Sequence, residues 1–382
     1  MPMRQGVTST GDIASYRQKI DMSEKIAQLR PNAAPLTVLL KRMKNKRTVY
    51  NPEYDWMEDD LYARWDAINA AAGYAVGITA LVVDNALYFI EGDTVKVPRT
   101  GEVMLVTAIN TTTNTLTVKR GYGTTAAAAL VDNDPLVIIG NANEEGAGLR
   151  GIRAQDPNKV TNYTQIFRTP VGLTRTQDKT RNHGPKEKAY QRMKAGIMHK
   201  VDMERAFLFG EKGKDTGTQG KPRRTTAGIL SYMTYNVLDC SAATPTAGAI
   251  NTWLEEVFLY GSSEKVLLAS AKLCTIFDNI AENKLQTVPG AKTYGVAIKE
   301  YLSTHGKLYI VKHPLLEGAV YGKYGIAVDM ENIAYCPLDA SDTQLLTNRQ
   351  NNDEDQEKDE YLTEAGIELR LPKTHAIIKN FV

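Results

Sequence analysis

Five groups of residues in this 382-residue chain have types that could do chemistry at the right spacing. Gly146-x-Gly148-x-x-Gly151 fits the glycine pattern that lets a backbone approach a dinucleotide's pyrophosphate, which also needs a helix opening there and an acidic residue about 20 positions on. Here IRAQDPNKV follows, Pro157 stops any helix, and the upstream pattern is antiparallel. The stretch is expected to be a flexible joint. Gly217-Thr-Gln-Gly220-Lys221 hints at a phosphate loop, but its spacing is wrong and Pro222 stands where Ser or Thr is required. Asp353, Asp355, Glu357 and Asp359 alternate as in a calcium loop, without its central glycine and bidentate glutamate, so a solvated acidic loop is expected. His183, His199, His305, His313 and His375 form no H-E-x-x-H and no i,i+4 pair, which argues against zinc. Cys240, Cys274 and Cys336 form no C-x-x-C and are expected to be buried free thiols. No catalytic, cofactor or metal residue is expected, and the chain is not expected to be an enzyme.

Charge is distributed in blocks. The net charge is only +2, which argues against wholesale nucleic-acid coating. Residues 1–50 carry ten Lys or Arg against three Asp or Glu, a local +7, and residues 339–368 carry ten Asp or Glu against two Lys or Arg, a local −8. The sharpest basic run is Lys41-Arg42-Met43-Lys44-Asn45-Lys46-Arg47, with no aromatic residues interleaved for base stacking. The sharpest acidic run holds Asp353, Glu354, Asp355, Glu357, Asp359 and Glu360. The basic run has no acidic residues close in sequence, and the acidic run almost no basic ones. A basic arm and an acidic loop are therefore expected, paired in part between subunits.

The elements that must position these groups follow from periodicity. Residues 1–48 look like an extended arm with short helices in SEKIAQLRP and, from Pro35, in PLTVLLKRM. The arm is too poor in apolar residues to bury a core alone. After an Ala-rich stretch, ITALVVD, ALYFI, DTVKVP, EVMLVTAIN, TLTVKRGYG and DPLVIIG read as six short strands, which suits a small antiparallel barrel or sandwich over residues 78–140. YTQIFRTPVGLT reads as a strand, and PKEKAYQRMKAGIMHKVDMERAFLFGE as one long helix opening at Pro185, with Met193, Ile197 and Val201 on its buried stripe. Residues 211–227 read as a mobile Gly/Lys/Thr-rich loop. NTWLEEVFLYG and AKLCTIFDNIAENK read as helices, EKVLLAS, GVAIKEYLS and KLYIVKHP as strands, and residues 326–382 as β broken by the polar loop 347–360. No apolar run is long enough to span a membrane, and the N-terminus lacks a signal-peptide core.

In this order the strand and long helix, AAPLTVLLKRM with YNPEYDWMEDDL, LVIIGNANEEGAG and EYLTEAGIELRLPKTHAIIKNF together resemble the major capsid proteins of tailed double-stranded DNA phages, the Hong Kong-type shell fold. The resemblance implies an α+β chain with an N-terminal arm (1–48), an E-loop (49–77) carrying the inserted β domain (78–140), and a return into the P domain (141–175). A P-domain spine helix and loop (176–227), an A domain (228–325) and P-domain return strands (326–382) follow. It implies self-association into hexamers and pentamers around packaged DNA, in a virion assembled in the host bacterial cytoplasm. Portal and scaffold proteins are the implied partners, and a decoration protein could join them. It also puts Lys41, Arg42, Lys44, Lys46 and Arg47 opposite the acidic run at subunit contacts. The alternatives are an encapsulin-like cargo shell, a tail or baseplate protein, and a cytosolic nucleotide-binding enzyme.

Overall fold

The structure is a computed structural model that describes residues 34–42, 46–181, 184–281 and 298–382. The expected helix in SEKIAQLRP, His183 and Lys44 lie outside these residues. The chain forms two compact units, residues 57–159 and the remainder.

In the larger unit, helix α1 (Pro35–Arg42) opens at a proline already fixed for the first helical turn. Strand β1 (Glu53–Glu58) then leads to residues 57–159. That unit holds β2 (Trp65–Ala67), β3 (Ala80–Val82), β4 (Asp93–Lys96), β5 (Val103–Asn110), β6 (Thr115–Lys119) and β7 (Pro135–Asn141). The sheet order is β2-β7-β4-β5-β6-β3, and an Ile68–Val83 bridge with Asn69 N–H to Val82 O at 3.0 Å closes the barrel. Alternate residues point inward, giving a core that includes Ile68, Leu81, Val95, Met104, Leu116 and Leu136. At its rim the buried Glu102–Arg120 pair fastens loops: Arg120 donates to Ile78 O and Glu102 accepts from Gly121 N–H and Ala128 N–H. Gly73 sits at φ +65° where any Cβ would collide with Leu130 O.

Two expectations change in this unit. ALYFI holds a 3-10 turn at Ala86–Tyr88 capped by Asn85, because Asn85 Oδ1 accepts from Leu87 N–H in place of a strand partner. The unit is also wider than residues 78–140. The stretch read as Ala-rich contains β2, and Arg150 and Arg153 tie the following strap to Asp93. Gly146–Gly151 lies in that strap without a helix.

The larger unit resumes with β8 (Asn158–Tyr163), which pairs with β1, and β9 (Gln165–Thr174). Helix α2 (Arg175–Lys179) precedes α3 (Glu187–Phe209), 23 residues long and started by Lys186, so Pro185 lies just outside it. The expected mobile loop is a hairpin of β10 (Gly213–Thr216) and β11 (Pro222–Thr225). There follow α4 (Ile229–Tyr232), β12 (Val237–Asp239), α5 (Ala247–Val257), β13 (Glu264–Ala269), α6 (Ala271–Ala281), β14 (Ile298–Leu302), β15 (Lys307–Lys312) and β16 (Tyr324–Val328). Last come β17 (Ile333–Pro337), β18 (Gln344–Leu346), β19 (Gln356–Leu369) and β20 (Ala376–Lys379).

Two sheets organise this unit. One has the order β12-β20-β16-β13-β15-β14 with α5 and α6 packed on it through Trp253, Leu254, Leu273 and Phe277. The other is β17-β19-β18, with β9 also paired to β19. Strands β16 and β20, expected among the P-domain return strands, thus belong to the α/β lobe, whereas β17, β18 and β19 do not. The lobe closes on Lys265, fully buried, whose ammonium donates to Val257 O, Tyr260 O and Thr374 O.

Candidate assembly site

Helix α3 lies along β19, and its contacts define the site. Lys188, Arg192, Gly196, His199, Met203 and Phe207 recur at three- and four-residue steps and form one stripe. Alternate residues of β19 meet it: Lys188 pairs with Glu357 and Arg192 with Asp359 at 2.7 Å. Beyond them Tyr361 closes over Gly196, and Thr363 Oγ1 meets His199 Nε2 at 2.7 Å. Deeper still, Met203 and Phe207 join Phe167, Tyr335, Ala365 and Ile367 in the core. The interface therefore runs from charged, through polar, to apolar within a single helix.

This stripe corrects the one expected from hydrophobicity. Met193 is 48% exposed, and Ile197 and Val201 are only half buried. The buried α3 residues are His199, Met203, Glu204, Phe207 and Leu208. A histidine and a glutamate mark the true face, so counting apolar residues places the stripe one position off.

Glu204 is the residue that the sequence did not reveal. It is fully buried and accepts from Leu36 N–H at 2.7 Å, Thr37 N–H at 2.5 Å, the Thr37 hydroxyl and His313 Nε2 at 2.7 Å. Leu315 N–H donates to His313 Nδ1, which places the proton on Nε2, facing Glu204. The first N–H groups of a helix have no partner within it, and Ala34 before Pro35 has no side chain to cap them. A carboxylate 168 positions away does so and seats the arm helix on α3. The one signal in the sequence was an acid at the phase of Met203 and Phe207.

The two charged runs also find partners, though not each other. Lys46 reaches Asp342 Oδ2 at 2.6 Å and Lys41 reaches Oδ1 at 3.3 Å, while Tyr335 Oη donates at 2.8 Å. Burial opposes ionisation of Asp342, but the hydrogen bonds from Lys46 and Thr343 N–H and the charge of Lys41 outweigh it and hold its carboxyl below the usual range. Burial pushes Lys41 down. Arg47 bonds Glu368, itself fully buried and shared with Arg370. Residues 46–49 lie parallel to β17, through Arg47 N–H to Tyr335 O and Val49 N–H to Pro337 O, both 3.0 Å. Of Arg42 only the helical backbone is described.

The acidic run is largely strand, not a solvated loop, since β19 begins at Gln356 and pairs with β9 from Thr174 onward. Glu360 receives both guanidinium nitrogens of Arg168 at 2.6 and 2.8 Å, which holds its carboxyl below the usual range. Asp355 meets Arg175 at 2.8 Å and Glu354 meets Lys358 at 2.5 Å. Asp353 is exposed and has no ion-pair partner among the described residues. Both runs thus find partners within their own chain: β9, α2 and α3 supply cations to the acidic run, and Asp342 and Glu368 serve the arm. Those partners are too distant in sequence for local charge counting to find.

Among the described residues no group of three or more His, Cys, Asp or Glu could hold a metal ion, and no helix is long and apolar enough to cross a membrane. Cys336 is buried, but Cys240 and Cys274 are only partly so.

A long helix on a β ladder, an arm helix packed on it and an α/β lobe are the elements that the resemblance to tailed-phage capsid proteins implies, here with a further β unit between β1 and β8. Among solved structures, the capsid of a native GTA particle aligns with a TM-score of 0.51 at 9% identity, covering 98% of each chain. A structure of Mycobacterium phage Bobi aligns with the same score and identity, covering 97% of this chain and 98% of its own. The curated major capsid protein of Pseudomonas phage PaMx41 is 26% identical over 285 residues, 71% of this chain and 68% of that relative. Residues 5–381 match the family described as SU10 major capsid protein. The chain belongs to that family and is a phage major capsid protein, a structural subunit of the icosahedral head.

Proposed function

We propose that this chain assembles into hexamers and pentamers that close around double-stranded DNA, in the host bacterial cytoplasm, with portal and scaffold proteins as partners. The observation that carries this reading is the family match from residue 5 to residue 381, which takes in nearly all of this chain rather than one of its units. The seat at Glu204 supports it. The short arm helix, whose Leu36 and Leu40 are buried in the core, is also held by a built joint, which suits an arm that must keep its seat while reaching a neighbour. In this reading Asp353 and the exposed Arg175–Asp355 pair lie near contacts with neighbours, and the arm cations sit close to them. The chain works by assembly rather than by turnover. A cargo-enclosing nanocompartment is the weaker alternative, because the family is one of phage heads.

Negative-stain microscopy of the purified full chain tests this. Closed icosahedral particles or free capsomers are expected. Tubes would favour a tail protein, and a strictly monomeric protein at high concentration would overturn the proposal.

A further inference from the structure

The β10–β11 hairpin and the residues leading into it carry Lys212, Lys214, Lys221, Arg223 and Arg224 against two acids, Glu211 and Asp215. Its register sorts these charges onto two faces. Asp215 lies opposite Arg223, and the two form a bidentate pair at 3.1 and 2.7 Å, so that face is largely neutralised. Lys214 lies opposite Arg224. Facing cross-strand residues have Cβ atoms about 5 Å apart, and like charges there weaken a hairpin. Lys212 joins the same side, since its ammonium and that of Lys214 both lie over the Tyr163 ring, at 5.3 and 5.9 Å from the centroid. Lys212 also donates to Thr161 O at 2.9 Å. Lys212, Lys214 and Arg224 have no carboxylate partner among the described residues, although Arg168, Arg175 and Arg192 of the same unit all have one.

We infer that the Lys212–Lys214–Arg224 face binds the phosphate backbone of double-stranded DNA. This rests on the proposed shell function for the identity of the polyanion. Three cations held together without an acid, one pair at the cost of cross-strand repulsion, need anions from outside the chain. The face carries Thr216 and Pro222 beside the cations, and the Tyr163 ring at its edge is covered by the Lys212 and Lys214 ammonium groups rather than open to a base, so it suits backbone contact without sequence preference. Repetition around each capsomer would multiply a weak contact.

The test is binding of the full chain to a fluorescent 30-base-pair duplex across a salt series. The K212Q/K214Q/R224Q variant is expected to lower the slope of log K against log salt by about 2–3, near 0.9 per lost phosphate contact. A K299Q/K307Q control, whose lysines sit by Asp278 and Glu264, should leave the slope unchanged. Lys214→Glu separates DNA contact from folding. It faces Arg224 with an opposite charge and should keep or raise the melting temperature while weakening DNA several-fold. An unchanged DNA slope in the triple variant overturns the inference, as does Lys214→Glu binding DNA like the parent. So does an acidic peptide that binds this face as tightly as the duplex. Particle formation, read separately by microscopy, reports on the shell function and not on this face.

Discussion

The two ends of the α3–β19 interface join the same helix to the same strand by different physics. At the near end Met203 and Phe207 are buried, and beside them Glu204 collects four hydrogen bonds out of water's reach. At the far end Lys188 and Arg192 meet Glu357 and Asp359 at or near the surface. A buried carboxylate cannot lose its partners cheaply, because no water replaces them. Surface ion pairs exchange with solvent and ions at little cost. The near end is thus a fixed joint that holds the arm, and the far end is a clasp that ionic conditions can adjust. For a subunit that must keep its fold while meeting different neighbours, that division is useful.

The largest expected effect is at the fixed joint. Glu204→Ala leaves Leu36 N–H, Thr37 N–H and His313 Nε2 buried without an acceptor and should cost ~3–5 kcal/mol. Amide hydrogen exchange should also rise at residues 36–38. Chemical denaturation of the full chain measures the first effect, and a variant as stable as the parent would mean that the arm helix is held by Leu36 and Leu40 alone. Phe207→Ala, in the same region, should cost ~3–5 kcal/mol. Met193→Ala, on the stripe expected from hydrophobicity, should stay within about 0.5 kcal/mol in the unassembled chain. Comparable losses in these two variants would restore the original stripe.

That last contrast shows what the sequence could and could not disclose. Strands such as EVMLVTAIN and EKVLLAS were legible because a half-buried or buried strand displays its own period. The long helix was legible because 23 residues hold no proline and mostly good helix formers. Its facing side was not, because Lys188, Arg192, Gly196, His199 and Glu204 take their meaning from Glu357, Asp359, Tyr361, Thr363 and the arm. Those partners are long-range, and no local pattern encodes them. The hairpin at 213–225 was missed for a related reason: without apolar alternation its strands look like a loop, and only cross-strand register reveals them.

Between the two ends sits His199, held by Thr169 Oγ1 at 2.9 Å and Thr363 Oγ1 at 2.7 Å. Burial, helped by the charge of Lys41, pushes it down to about 4. His375 is likewise down to about 4 through burial; its Nδ1 accepts from Asp329 N–H. In the unfolded chain both take up a proton near pH 6.5, while in the folded chain they resist until about pH 4. The unfolded state therefore binds more protons in that window, and stability falls as pH drops through it. The ceiling is roughly 3 kcal/mol per histidine, at about 1.4 kcal/mol per pH unit. Unfolding midpoints between pH 7 and 4 should decline, and His199→Gln should make the decline shallower. An identical pH profile in the variant would show that His199 does not couple the two ends to protons.

The smallest effect belongs to the tip of the clasp, and its response to salt is the informative part. Arg175 and Asp355 are mostly exposed, and their 2.8 Å pair lies at the far end of the β9–β19 ladder. Arg175→Gln should cost no more than ~0.5 kcal/mol at low salt. The difference from the parent should vanish by about 0.5 M salt, where the screening length falls below ~5 Å. Glu204→Ala should show no such convergence, since its partners are buried with it. If salt erased both differences alike, the near end would be as open to solvent as the tip. If it erased neither, the Arg175–Asp355 contact would owe its stability to packing of the guanidinium stem rather than to charge.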